Sequence, residues 1–418
     1  VEATKNATGE ITRPEGTPRA GGPGITRHIF TISLFHFVND AAVVSLPTIY
    51  PLLYDQRYII SRYSYIGTLF LAGLCVTILI QFLIGTYARE GYFRKILPSA
   101  IMGLGISLLL LTRTERFLTF LLMFLLFRTA TSFYHPVGIA WINSLARGRR
   151  LDRAMGIQSA MGDLGVFMSF ITGGFLAERM GWRAPLLTWA LIAVMVSVSG
   201  FVLSSRTRAP ASREAGTTAS KGFSWRESFG SIKPLVPAFI LGGISWAIVI
   251  GYAPSLFHHR MAVSLSHTGY FLAAWIGAGT ISSLLYGKIV PHMGHRVLLL
   301  LSYTVVLVSA ITLSLTQNTT LAVATMVLFG FFIFLTYPCL LSCVGKNIQD
   351  SSGPSAFSIV ANLQIMGGAV FSFLAGFLSD SFGITSPFWI LAAVALVVIV
   401  YLFVRGKSLL PDGAQASP

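Results

Sequence analysis

Apolar residues recur along this 418-residue chain in stretches long enough to cross a lipid bilayer. A helix needs roughly 20 apolar residues to traverse a hydrocarbon core of about 30 Å. Twelve such stretches can be laid out, at approximately 28–53, 63–87, 95–112, 117–146, 154–178, 184–204, 234–258, 267–290, 297–316, 320–345, 354–380 and 384–405. Only 11% of residues are charged and 54% are hydrophobic, whereas soluble domains carry about a quarter charged residues. The expectation is an all-α membrane protein with twelve transmembrane helices. The three cysteines, Cys75, Cys339 and Cys343, fall inside spans and read as small buried side chains rather than a disulfide framework.

The formal net charge of +15 would suit nucleic acid, but its distribution points elsewhere. If the N-terminus is cytosolic, 22 of the 30 Lys and Arg fall in the tails and loops of the cytosolic side, 7 fall in the opposite loops, and Arg128 lies within a span. That is the positive-inside asymmetry. It predicts a multi-pass protein with both termini cytosolic, in a bacterial cytoplasmic membrane or one derived from it, and no nucleic-acid partner. Residues 1–27, polar and rich in Gly, Pro and Thr, read as a flexible cytosolic tail without the apolar core of a signal peptide.

A pattern G-x3-(acid)-x2-G repeats with fixed spacing. It stands as "GFLAERMGWR" from Gly174 and "GFLSDSFGIT" from Gly376, which carries Asp380, with degraded copies from Gly85 and Gly287. Gly85 and Gly174 are 89 residues apart, as are Gly287 and Gly376, and each of the first pair lies 202 before its counterpart in the second. The longer offset spans six helices and keeps topology; the shorter spans three and inverts it. This is the arithmetic of 3+3 inverted repeats within each half of a secondary transporter. The same 202 offset relates Tyr50 to Tyr252, Pro136 to Pro338 and Gly165 to Gly367. The organisation follows: a bundle of six helices over 28–204, a basic cytosolic linker at 205–233, a second six-helix bundle over 234–405, and a C-terminal tail at 406–418.

Twelve spans in 6+6 halves with these loops resemble the major facilitator superfamily over about residues 25–405. Within it, "HFVND" (36–40) and "SFYHP" (132–136) are similar to the fosmidomycin-resistance type of exporter. The fifth span carries Gly156, Gly165, Gly173 and Gly174 at the spacing of the superfamily's antiporter glycine motif, although Ser169-Phe170 replaces its Gly-Pro step. The resemblance implies alternating access and leans toward proton antiport. It also implies a latch in the loop after the second span. There this chain has Arg89 followed by Glu90, and the equivalent loop of the second half has Pro291, so that latch is not carried over.

Three ionisable residues lie deep within spans: Asp40 at about 18 Å into its helix, Arg128 at about 16 Å and Asp163 at about 13 Å. Charge at such depth is expensive and tends to face the bundle interior or a wet cavity. All three belong to the first half, while the 202 offset puts Gly242, Gly330 and Ile365 in their place, so the coupling chemistry is expected there. His36 and Asp40 are i, i+4 neighbours and, with Asp163, candidates for proton coupling. The alternative is that Asn39 and Asp40 tie the first span to neighbouring helices. Arg128 stays protonated and suits an anionic solute or a fixed ion pair with Asp40 or Asp163; the superfamily's antiporters have an arginine in this part of the fourth span. His135 follows two turns on, and Pro136 could act there as a hinge or a packing kink.

Tyr50, Trp246, Tyr252, Tyr337, Asn362 and Gln364 are candidate cavity residues, and Pro338, Gly287 and Gly376 candidates for gating and packing. "FHHR" (His258, His259) and "HMGH" (His292, His295) have chelating spacing, but no nearby carboxylate cluster completes them, so no metal site and no cofactor is expected. No P-loop and no H-E-x-x-H is present, and no nucleophile–base pair can be assembled, which argues against ATP drive and against an enzyme. The expected function is a secondary carrier of a small organic anion or drug-like solute, with protons as co-substrate and the lipid bilayer as surroundings, working as a monomer. An importer of an anion, a metal such as iron or a metal complex is the rival. A non-transporting receptor or scaffold with this fold is the alternative from another class.

Overall fold

A computed structural model describes residues 23–57, 59–88, 90–146, 149–205, 229, 232–347 and 353–409. The tail before residue 23, the greater part of the linker (206–228), Arg89 and the chain beyond residue 409 lie outside the described residues. The first group of helices comprises α1 (Pro23–Gln56), α2 (Tyr63–Tyr87), α3 (Phe93–Leu111), α4 (Phe117–Thr131), α5 (Tyr134–Leu145), α6 (Arg149–Met180) and α7 (Arg183–Ser205). The second comprises α8 (Val236–Ser255), α9 (Leu265–Leu315), α10 (Thr319–Asn347), α11 (Gly353–Phe382) and α12 (Ser386–Leu409). Among the described residues, eleven helical segments are long and apolar enough to cross a membrane, with α4 and α5 counted as one span over Phe117–Leu145.

At 51 residues, α9 would be about 75 Å long if straight, more than twice a hydrocarbon core. It is broken at Gly294, whose φ of 71° and ψ of 159° suit only glycine. Gly294 is the second glycine of one motif copy. Gly181 and Gly383 occupy the same motif position in two other copies, end α6 and α11, and also have positive φ, 85° and 88°. The repeated pattern therefore marks where the chain turns.

Within the first group α1 packs on α6 and α3 on α7; within the second, α8 packs on α11 and the two arms of α9 on α10 and α12. The groups meet chiefly through α2 against α11 and α6 against α9. Those contacts are tightest toward the face where α1 ends and α2 begins, called here the far face. A Cβ at Gly174 would collide with the Leu265 carbonyl, and one at Gly376 would lie 2.7 Å from the Tyr63 carbonyl. The motif acids complete this seam. Glu178 accepts the backbone N–H of Ser266 at 2.7 Å, and Asp380 accepts those of Tyr63 and Ser64 at 2.6 and 3.2 Å. Each carboxylate thus satisfies unpaired amides at the N-terminus of a helix in the other group. Toward the near face a Cβ at Gly287, the motif counterpart of Gly376, would meet nothing within 4 Å, and neither would one at Gly156, early in α6. Gly85 lies in the last turn of α2.

Candidate functional site

Between the groups lies a cavity of about 500 Å³. Its first wall carries the charged and most of the polar groups, set among apolar side chains such as Val43, Leu46, Phe70 and Phe127. Asn39, Asp40 and Tyr50 come from α1, Thr77 and Gln81 from α2, Arg128 from α4, Ser132 from the α4–α5 break and His135 from the first turn of α5. Its second wall is aromatic and apolar, with Trp246 of α8, Trp275 of α9, and Ile333, Phe334 and Tyr337 of α10. The ring centroids of Trp246 and Trp275 are 5.4 Å apart, and Phe334 stands edge-on to Trp275 at 5.3 Å. Gln364, packed against Gly242 and Gly243, completes that wall.

Asp40 is the hub of the polar wall. One oxygen lies 3.0 Å from His36 Nε2, and the other accepts Asn39 Nδ2 at 2.9 Å with His135 Nε2 at 3.9 Å. His36 is enclosed: its side chain is 8% exposed, its ring stacks on Tyr134 at 4.5 Å, and its Nδ1 is 2.7 Å from both the carbonyl oxygen and Nε2 of Gln158. His135 is 50% exposed, so a solute or proton from the cavity meets it before His36. This arrangement can hold a negative charge, neutralise it, and pass a proton between a carboxylate and two imidazoles.

Arg128 is held differently. Its Nη2 donates to Thr77 Oγ1 at 2.8 Å, and its stem lies along α2 where residue 73 is glycine; a Cβ there would sit 3.1 Å from Nε. No carboxylate lies within ion-pair distance of it among the described residues. A guanidinium on a cavity wall with a neutral anchor keeps donors available for an anion. The break beneath it follows from Pro136, which cannot donate to the carbonyl four residues earlier, at Ser132. That Ser132 hydroxyl is 2.6 Å from the Arg128 carbonyl and 3.2 Å from Thr77 Oγ1.

Asp40, Arg128, His135, Tyr50, Trp246, Tyr337 and Gln364 therefore share one cavity. Other candidates sit elsewhere, with His36 behind Asp40. Asp163 faces α9 and accepts Thr280 Oγ1 at 3.4 Å. Tyr252 is fully buried, its hydroxyl donating to the Ser372 carbonyl at 2.6 Å. Asn362 is exposed near the start of α11, outside the cavity lining. Pro338 lies inside α10, which runs on as helix through it. Gly165 and Gly173 bring α6 against α1: a Cβ at Gly165 would strike the Phe37 carbonyl, and one at Gly173 would lie 2.8 Å from Thr48 Oγ1. Sequence reasoning missed Thr77, Gln158 and Gly162. The last is telling, because a Cβ at Gly162 would come within 2.5 Å of the His36 ring. A glycine facing a buried histidine leaves no mark in composition.

Solved structures share the fold at low identity, and two stand as examples. One is a bacterial homologue of the human lysosomal transporter Spinster, captured inward-facing and unoccupied, with a TM-score of 0.75 at 14% identity, covering 92% of this chain and 96% of that one. The other is the nucleoside transporter NupG, with a TM-score of 0.74 at 12% identity, covering 91% and 99%. A curated relative, the multidrug efflux protein YfmO of Bacillus subtilis (strain 168), is 23% identical over 257 residues, 60% of this chain and 61% of that protein's length. The family model described as Major Facilitator Superfamily matches residues 32–364, and this integral multi-pass membrane protein belongs to that superfamily.

Proposed function

We propose that the protein is a secondary active carrier that exports a small organic anion or amphiphilic drug-like solute in exchange for protons. The observation that carries this reading is Arg128, facing a cavity of about 500 Å³ without a carboxylate partner among the described residues, opposite the Trp246–Trp275–Phe334 wall. Such a space suits a solute with one anionic end and one flat apolar body. Asp40, between His36 and His135, supplies the proton side. The efflux function named for the Bacillus subtilis relative agrees with the direction proposed.

Alternating access follows from the unequal faces. The Gly174 and Gly376 contacts and the Glu178 and Asp380 bonds close the far face, while Gly156 and Gly287 stand open at the near one. Exchange of one glycine set for the other would move the opening across the membrane. Counting the two arms of α9 separately, the chain makes twelve crossings in two halves of six, each a 3+3 inverted repeat, with both termini on the cytosolic side.

One observation favours a second reading: His36, Asp40 and His135 bring three ligand atoms within 4.8 Å of one another, a set that could hold a divalent metal as imported cargo. Proteoliposomes loaded with a pH-sensitive dye separate these readings. Organic anions, antibiotics and iron complexes are added outside in turn. Proton movement out of step with an organic anion, lost in Asp40→Asn, supports antiport. A response to metal complexes alone supports the importer, and no flux from folded, inserted protein supports a receptor.

A further inference from the structure

We propose that Asp55, His258 and His259 form a transition-metal site on the far face that ties the first group of helices to the second. Asp55 ends α1; His258 and His259 lie in the π-turn Leu256–Arg260 that follows α8. Asp55 Oδ2 is 3.4 Å from His258 Nε2, and Oδ1 is 3.1 Å from His259 Nε2, with all three ligand atoms within 4.8 Å of one another. Ligands placed tetrahedrally around Zn²⁺ at about 2.0–2.1 Å stand about 3.3 Å from each other, so both separations fit a shared cation. Two imidazoles and a carboxylate are a donor set for Zn²⁺ and its neighbours in the first transition row, not for Mg²⁺ or Ca²⁺.

Both imidazoles are aimed by their second nitrogen. His258 Nδ1 is 3.0 Å from the Val263 carbonyl, which only accepts, so Nδ1 carries a proton, and in that tautomer the lone pair of Nε2 faces Asp55. Lone pair against carboxylate is repulsive unless a positive centre lies between them. His259 Nδ1 is 3.0 Å from the Tyr63 hydroxyl, and its ring is flanked by Tyr54, itself stacked on Tyr63 at 4.4 Å. Metal-ligating histidines are held in this way, with Nδ1 hydrogen-bonded and Nε2 on the metal; the Val263 carbonyl fixes that role for His258, and the Tyr63 hydroxyl can accept from Nδ1 of His259. With Asp55 46%, His258 27% and His259 18% exposed, an ion reaches the set from solution and keeps a position for water.

The contributing elements come from both groups, Asp55 from α1 and the two histidines from the turn after α8, and Tyr63, whose own amide Asp380 caps, starts α2. A cation here would therefore bind most tightly to the conformation with a closed far face. This inference stands on the far-face geometry and does not depend on the cargo of the central cavity.

The test is calorimetric titration of the full chain in detergent with Zn²⁺, repeated with Co²⁺ to read coordination from its absorption spectrum. The expected result is one Zn²⁺ equivalent that is lost in Asp55→Ala and in the His258→Ala/His259→Ala double variant. Tyr63→Phe should weaken it by about tenfold, as loss of an outer-shell partner does. The same equivalent should persist in His36→Ala/His135→Ala, which removes the other His/carboxylate cluster. Unchanged binding in Asp55→Ala, or no Zn²⁺ uptake by the wild-type chain, overturns the proposal and leaves protonated histidines as the positive centre. Should the double variant not fold, Asp55→Asn decides: full affinity overturns the site, and at least a tenfold loss with an unaltered unfolding profile sustains it.

Discussion

Asp380, near the end of α11, accepts the backbone N–H of Tyr63 at 2.6 Å across 317 residues of sequence. The first amides of α2 have no partner within their own helix, so a carboxylate from the opposite group meets both a hydrogen-bonding need and the positive end of the helix dipole. Asp380→Ala is expected to weaken the closed far face by about 1 kcal/mol, the usual value of a cap, or roughly fivefold in population. Glu178→Ala should do the same at Ser266, and the pair should add, because the sites share no partner. Labelling of cysteines introduced along the far ends of α2 and α9 would rise in that order; equal labelling in all variants would remove the latch role.

At the hub of the polar wall, Asp40→Asn keeps shape and removes charge. Solute accumulation driven by a proton gradient is expected to vanish while membrane insertion and solute exchange without a gradient remain. Counterflow and gradient-driven uptake, measured in the same vesicles, make the comparison. Survival of driven accumulation would exclude Asp40 from coupling.

Arg128→Ala should weaken binding of anionic solutes by at least about tenfold, a change of about 1.4 kcal/mol, and leave neutral analogues nearly unaffected. Arg128→Lys retains the charge but loses the planar fork, and should recover only part of the affinity. Tryptophan fluorescence titration can report occupancy, since Trp246 and Trp275 line the cavity. Equal losses for charged and neutral solutes would sink the anion assignment.

Gly162→Ala places a methyl group 2.5 Å from the nearest atom of the His36 ring, 2.7 Å from its Nε2. The ring must move, at an overpacking cost of about 1–3 kcal/mol, and the contact between Nε2 and Asp40 moves with it. The expected phenotype is reduced coupling with retained solute affinity, as for His36→Ala. Solute binding and proton movement measured side by side would show the split; normal coupling would mean that His36 need not be in place.

Insertion in the membrane through many helices was legible before any tertiary contact was known. Each helix satisfies its own backbone and meets lipid by its own composition, so spans are written locally in runs of apolar residues. Repeat spacing likewise marked Gly181, Gly294 and Gly383, the turns that need positive φ. What lay beyond local reach was helix rotation. In lipid both faces of a span are apolar, and the surfaces that pack differ little from those that face hydrocarbon; composition therefore did not reveal that Tyr252 points into packing while its repeat partner Tyr50 lines the cavity. The same limit applied at the far face. His258 and His259 lacked a carboxylate in their own stretch of chain, and only the folded structure brings Asp55, 204 residues before His259, to within 3.1 Å. Contacts between groups so distant in sequence depend on how whole helices dock, a property of the bundle and of no single segment.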